Sequence, residues 1–196
     1  MKNATHDRIL KLALTALFAA LCYVIFTFLQ IKIPMPGGDA TSLHLGNAFC
    51  VLAALLLGGV YGGLSGAIGM TIADLMDPVY ITGAPKTFVL KFCIGLITGL
   101  VAHKIAHIHE STDKSYIFKW SLIASIAGLG FNVIADPLVG YFYKQLVLGQ
   151  PQEMASVLAK WSTATTFVNA VVSVILVSIL YNALRPAIAK SGLNLL

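Results

Sequence analysis

HLGNAFCVLAALLLGGVYGGLSGAIGMTIADLMDPVYITGAPKTFVLKFCIGLITGLVAH, residues 44–103, is almost unbroken apolar and glycine-rich sequence with four charges in its middle: Asp74, Asp77, Lys86 and Lys91. Hydrocarbon tolerates ionisable groups badly. Charges set between apolar runs of membrane length therefore line a cavity, a pathway or an interfacial loop. The stretch reads as membrane-embedded helices with something polar to hold.

The rest of the 196 residues agrees. Hydrophobic residues make up 58% of the chain and charged residues 11%, under half the charge of an ordinary soluble domain. No hydrophilic stretch is long enough for a separate water-soluble unit, so one membrane-embedded domain over residues 1–196 is expected. The net charge is +5. The bases sit at the ends of apolar runs rather than in an aromatic-interleaved patch, which fits membrane-surface anchoring and not nucleic acid. Cys22, Cys50 and Cys93 lie inside apolar segments and have neither disulfide nor zinc-knuckle spacing. Lys2, Arg8 and Lys11 precede an apolar run without a small-residue cleavage site, so the run reads as a first transmembrane helix.

A span needs about 20 helical residues. Leu10–Leu29 meets this, and Pro34, Pro36, Gly37 and Gly38 then break the chain. Leu43–Met76 is too long for one helix and divides at Gly58-Gly59-Val60-Tyr61-Gly62-Gly63, giving two spans and a tight turn. A fourth span covers about Pro85–His103, a fifth Trp120–Tyr143 and a sixth Trp161–Leu184, with a polar loop over His103–Lys119. The expected fold is an all-α six-helix membrane bundle. With the N-terminus inside, eight bases fall on the inner side, Lys2 and Lys190 among them, and five on the outer side, which favours both termini in the cytoplasm. Small residues recur at four-residue spacing, as in Ala16/Ala20, Gly59/Gly63 and Gly95/Gly99. Such spacing lets helices approach closely; it serves internal packing or, on the first helix, a partner protein.

There is no Gly-rich loop ending in Gly-Lys-Ser/Thr, so ATP hydrolysis by the usual route is not expected, and neither is a cofactor. His103, His107 and His109 read as a solvated or headgroup-contacting helix end ahead of a metal site. The binding candidates gather at the outer ends. Ser42 caps the second helix in the simplest reading, with Thr41 beside it, whereas His44 and Asn47 lie a turn deeper. Asp74 either pairs with Lys86 or Lys91 across the hairpin, or leaves one lysine to meet an anionic ligand; Lys91 is the stronger pocket candidate. Asn132 and Asp136 are four apart on the fifth helix, and Trp161, Thr165 and Asn169 continue that spacing on the sixth. Each set forms a polar stripe of the kind a cavity wall needs. Trp161 is alternatively an aromatic-belt anchor, Asn169 an interhelical hydrogen bond and Asp136 an interfacial group.

The stretches Ala16-Leu17-Phe18-Ala19-Ala20, His44-Leu45-Gly46-Asn47, Leu55-Leu56-Leu57-Gly58-Gly59, Gly66-Ala67-Ile68-Gly69, Ala73-Asp74-Leu75, Ala84-Pro85-Lys86-Thr87-Phe88 and Lys91–Gly99 resemble the substrate-binding S component of energy-coupling factor (ECF) vitamin transporters. The resemblance implies a non-catalytic, six-helix, N-in and C-in subunit of the cell membrane that captures a vitamin outside. It also implies a membrane scaffold (T component) and two ATP-binding subunits as partners, with Ala16 and Ala20 contacting the scaffold. Substrate-binding candidates are Thr41, His44, Asn47, Asp74, Tyr80, Lys86, Lys91, Asn132, Asp136, Trp161 and Asn169. The outer positions offer ammonium, hydroxyl, imidazole and amide groups, with few aromatics besides Tyr80, Tyr141 and Trp161. A small anionic ligand such as pantothenate is therefore expected, with pyridoxine or hydroxymethylpyrimidine as the alternative. An autonomous secondary transporter is the competing class, although no clear repeat supports it.

Overall fold

A computed structural model describes residues 4–190, with side chains over 7–188. Lys2 lies outside the described residues, and the Lys190 side chain is likewise not described. The elements are α1 (Ala4–Phe28), β1 (Gln30–Pro34), β2 (Ala40–His44), α2 (Gly46–Leu57), α3 (Gly59–Met76), α4 (Ala84–Gly99), α5 (Lys114–Phe142) and α6 (Gln152–Lys190). Among the described residues six long helices form, as the sequence predicts, with the second-to-third turn where the glycines place it. Gly58 stands at φ 92° and ψ 162° between α2 and α3, a backbone region that is essentially restricted to glycine.

The differences from expectation lie at the edges. A segment expected only to break the chain folds as an antiparallel hairpin, β1 with β2, in which Lys32 pairs Ser42 and Gln30 pairs His44. Its tip, Pro36-Gly37-Gly38, turns through two positive-φ glycines. Ser42 and His44 are strand residues, so Ser42 does not cap α2; Leu45 is the residue before that helix and makes no side-chain cap bond. α6 begins nine residues before Trp161. α5 begins at Lys114, where Asp113 accepts a capping bond from the Ser115 N–H at 2.9 Å. α4 and α5 each end in a short π-helical turn, Leu100–Ile105 and Tyr143–Val147.

Among the described residues, four helical segments are long and apolar enough to cross a membrane: Asp7–Phe28, Ile81–Ile105, Lys114–Val147 and Gln152–Ile188. The chain is a multi-pass membrane protein. α2, at 12 residues, spans about 18 Å at 1.5 Å per residue, short of a hydrocarbon core of about 30 Å. All of its residues except Phe49 are buried. It is a central core helix packed among the others, with only Phe49 partly exposed.

The seam between α3 and α4 is made by glycines. A Cβ on Gly95 would overlap the backbone of Gly63, and one on Gly99 the backbone of Gly59. On Gly63 it would lie 2.7 Å from the Phe92 carbonyl. Two small-x-x-x-small pairs thus interlock, which realises the packing reading of their spacing. Ala16 and Ala20 are exposed on the outward face of α1.

His103 departs from the sequence reading. It is buried, and its Nε2 lies 3.1 Å from the Ala54 carbonyl at the end of α2. The helix containing it unwinds before His107, which takes a φ of 46°, so the two histidines do not share a helix face. The Arg185 guanidinium donates to the carbonyls of Ile108 and Ser111 at 2.7 and 2.9 Å. That clamps the loop before α5 onto α6.

Candidate functional site

The hairpin roofs a cavity whose walls come from β2 and from the adjoining ends of α1 to α6. The roof is tied down by side chains. Asn169 of α6 accepts from the His44 backbone N–H at 3.0 Å and donates to the Ser42 carbonyl at 2.9 Å. The amide thus copies a peptide group and pairs with the free edge of β2 as a third strand would. The Thr41 and Thr165 hydroxyls meet at 2.7 Å one turn away. Lys32 of β1 pairs with Asp77 after α3, and Asp39 near the hairpin tip pairs with Lys144. At Asp77, burial alone would raise the carboxyl pKa. The Lys32 ammonium and the Val79 N–H outweigh it and hold the carboxyl below its ordinary value.

The sequence candidates largely converge here. Thr41, His44 and Asn47 line the cavity from the hairpin and the first turn of α2. Asp74, Tyr80, Lys86 and Lys91 line it from α3, α4 and the segment between them, and Asn132, Asp136 and Asn169 from α5 and α6. Trp161 does not join them. It is half-exposed on α6, away from the cavity lining, in the situation of an aromatic anchor. The hairpin charges also pair differently from expectation. Lys86 donates to Asp136 at 3.0 Å rather than bridging to Asp74, because the α4 end faces α5 there. Asp136 also accepts from the Ser162 and Thr166 hydroxyls, so it is a cross-helix hub and not an interfacial group.

Sequence reasoning missed several wall residues. Phe26, in the apolar run of α1, stands 4.6 Å from His44 in an edge-to-face contact and 6.1 Å from Tyr80 between ring centroids. With Tyr80 it supplies stacking surface beyond the few aromatics that the sequence singles out. Nothing local distinguishes Phe26 from its neighbours; only the packing turns it inward. Lys144, Ser162 and Thr166 line the cavity too, and the last two fall on the polar stripe of α6 already visible in Thr165 and Asn169.

The lining is prepared for a polar guest. Asn47 and Asn132 are each 1% exposed, yet their Oδ1 atoms have no hydrogen-bond partner. Buried polar atoms are seldom left this way unless another molecule pairs with them. The Gly46 N–H donates to His44 Nδ1 at 3.2 Å, which leaves the imidazole proton on Nε2 as a donor. Three lysines (Lys86, Lys91, Lys144) and three aspartates (Asp39, Asp74, Asp136) line the cavity, so its formal charge balances. Among the described residues no group of His, Cys, Asp or Glu is arranged to hold a metal ion.

Residues 7–186 match the model of a family described as "ECF-type riboflavin transporter, S component". The chain belongs to this family. It is therefore an ECF-type S component, a transport subunit and not a catalyst, of a kind that works with T and ATPase subunits. ThiT from Listeria monocytogenes has a similar structure, with a TM-score of 0.65 over 90% of this chain and 95% of that one. At 17% identity that likeness bears on the fold. A Pyrococcus woesei protein described as "Uncharacterized protein in gap 3'region" is 33% identical over 76 residues, 39% of this S component. The chain spans about half the length (49%) of that curated relative.

The family match overturns the expectation of pantothenate, and with it the pyridoxine or hydroxymethylpyrimidine alternative and the autonomous transporter. The physical reason is on the cavity wall. The pantothenate reading relied on surplus positive charge from Lys86 or Lys91, and the cavity has no net surplus: Lys86 is taken by Asp136, and the three lysines of the lining are matched in number by three aspartates.

Proposed function

We propose that this S component captures riboflavin in the hairpin-roofed cavity, within a single membrane-embedded domain, and passes it on through an ATP-driven ECF complex. The observation that carries the reading is the charge balance of a cavity with aromatic and amide walls. Riboflavin is a neutral molecule with a flat ring system and a polyol tail. Phe26 and Tyr80 offer faces to the ring, and the asparagine amides and the Thr and Ser hydroxyls offer partners to carbonyls and hydroxyls. Ligand contacts are assigned to Thr41, His44, Asn47, Asp74, Tyr80, Lys91 and Asn132, with Asn169 and the Lys86–Asp136 pair holding the walls. The similarity to ThiT raises thiamine as a second reading. Thiamine is a cation and calls for net negative charge, which this cavity lacks.

The excess of basic residues at the end opposite the hairpin supports an extracellular mouth. The partners are a T component and two ATP-binding subunits, with exposed Ala16 and Ala20 of α1 as the contact to the T component. Titration of the purified chain with riboflavin, read by loss of flavin fluorescence, is expected to saturate at one ligand per chain. Thermal stabilisation by thiamine but not by riboflavin would overturn the riboflavin assignment. In liposomes, riboflavin accumulation is expected only when the T component, the ATPases and ATP are all present.

A further inference from the structure

The six charges lining the cavity do not all cancel in close pairs. Lys86 is bonded to Asp136 and Lys144 to Asp39. Lys91 and Asp74 remain, 7% and 4% exposed, and among the described residues neither has an ion-pair partner within 4 Å. Both line the cavity on its α3–α4 wall. Lys91 feels the Asp136 carboxylate across the cavity and, less strongly, that of Asp74. Asp74 has only the neutral Thr87 hydroxyl beside it, neither group has the charged counterpart that a buried charge requires, and each faces the cavity.

A guest suited to this wall presents a hydrogen-bond acceptor and a donor side by side on one rigid edge. The imide of the flavin ring does so: two carbonyls flank the N3–H in one plane. We propose that Lys91 and Asp74 hold this imide edge, the Lys91 ammonium donating to a ring carbonyl and the Asp74 carboxylate accepting from N3–H. The assignment rests on the riboflavin reading and adds the orientation. The ring edge faces the α3–α4 wall, and the polyol tail faces the opposite wall, where Ser162, Thr165 and Thr166 supply hydroxyls. A bond to a charged group contributes more than a neutral one, so these two contacts set the discrimination among flavins.

N3-methylriboflavin removes the donor and leaves the rest of the molecule unchanged. Full-length protein in detergent is titrated with riboflavin, N3-methylriboflavin and lumiflavin, which lacks the polyol, and compared with Asp74→Ala and Lys91→Met. In the unaltered chain, N3-methylation is expected to weaken binding about 10- to 100-fold. In Asp74→Ala that penalty disappears. Lys91→Met is expected to weaken riboflavin and lumiflavin by the same factor of about 10 or more, because both keep the imide edge. Equal binding of riboflavin and N3-methylriboflavin by the unaltered chain overturns the orientation while leaving riboflavin capture intact. A methylation penalty that persists in Asp74→Ala overturns the role of Asp74. Lumiflavin binding untouched by Lys91→Met overturns the role of Lys91. Failure of the unaltered chain to bind riboflavin removes the riboflavin reading itself. Should Asp74→Ala not fold, Asp74→Asn keeps the shape and a carbonyl acceptor, and it is expected to reduce the methylation penalty without abolishing it.

Discussion

The same two helices, α3 and α4, behave in opposite ways at their two ends. Where α3 begins and α4 finishes, Gly59 and Gly63 interlock with Gly95 and Gly99 until backbone touches backbone. Where α3 finishes and α4 begins, Asp74, Lys86 and Lys91 line open space. One turn of helix separates Lys91 from Gly95. The wide end keeps its shape because the narrow end fixes it: a seam with no side chains in it cannot slide or rotate without collision. Rigidity at the glycines and recognition at the charges are two uses of one helix pair.

The most damaging way to break that contrast is to put bulk in the seam. Gly95→Leu is expected to force the backbones apart and abolish the folded subunit. Gel filtration in detergent should show loss of the monodisperse peak, and a folded, riboflavin-binding Gly95→Leu protein would refute the rigid-seam account. A smaller effect is expected at the roof. Asn169→Ala leaves the His44 N–H and the Ser42 carbonyl without their partner, at a cost of about 1–3 kcal/mol for each buried group left unpaired. A melting temperature lowered by several degrees, with weaker riboflavin binding, is the expected reading. Asn169→Asp, which accepts but cannot donate to Ser42, should fall between. The smallest effect is at the rim. The Asp77 carboxyl is held below its ordinary value by Lys32 and the Val79 N–H, so the stability it adds is present above the usual carboxylate range near pH 4 and fades as pH falls through its lower folded value. The pair is near the surface and contributes at most about 1 kcal/mol. Melts between pH 3 and pH 6 should show a slightly shallower acid loss in Asp77→Asn than in the unaltered protein.

The two ends differ equally in how far sequence reveals them. The glycine seam was legible because its signal is local: four-residue spacing on one helix face states that something must come close. The six-helix count and the Gly58 turn were legible for the same reason. Most cavity residues were also visible, since a polar group in an apolar run stands out. Their pairing was not. That Lys86 faces Asp136 and not Asp74 depends on which helix lies beside α4, a fact no local pattern carries. The sequence shows the hairpin only as a break, although Ile31 and Ile33 alternate with Gln30 and Lys32, because prolines and glycines dominate a short segment. Phe26 was invisible among the apolar residues of α1. The ligand follows from the same gap: surplus lysines and few aromatics point to a small anion, whereas lysines balanced by aspartates and an inward Phe26 suit a flat neutral ring.

The brevity of α2 has a consequence for the membrane around the protein. Only the outer helices touch lipid along a full span, so a thicker or thinner bilayer acts on them, through tilt and local deformation. α2 carries Asn47 in its first turn and is buried along its length except at Phe49. Its depth is therefore set by its neighbours and not by acyl-chain length. The floor of the cavity is insulated from hydrophobic mismatch, so affinity should hold nearly constant across lipids of different chain length even where the tilt of the subunit does not.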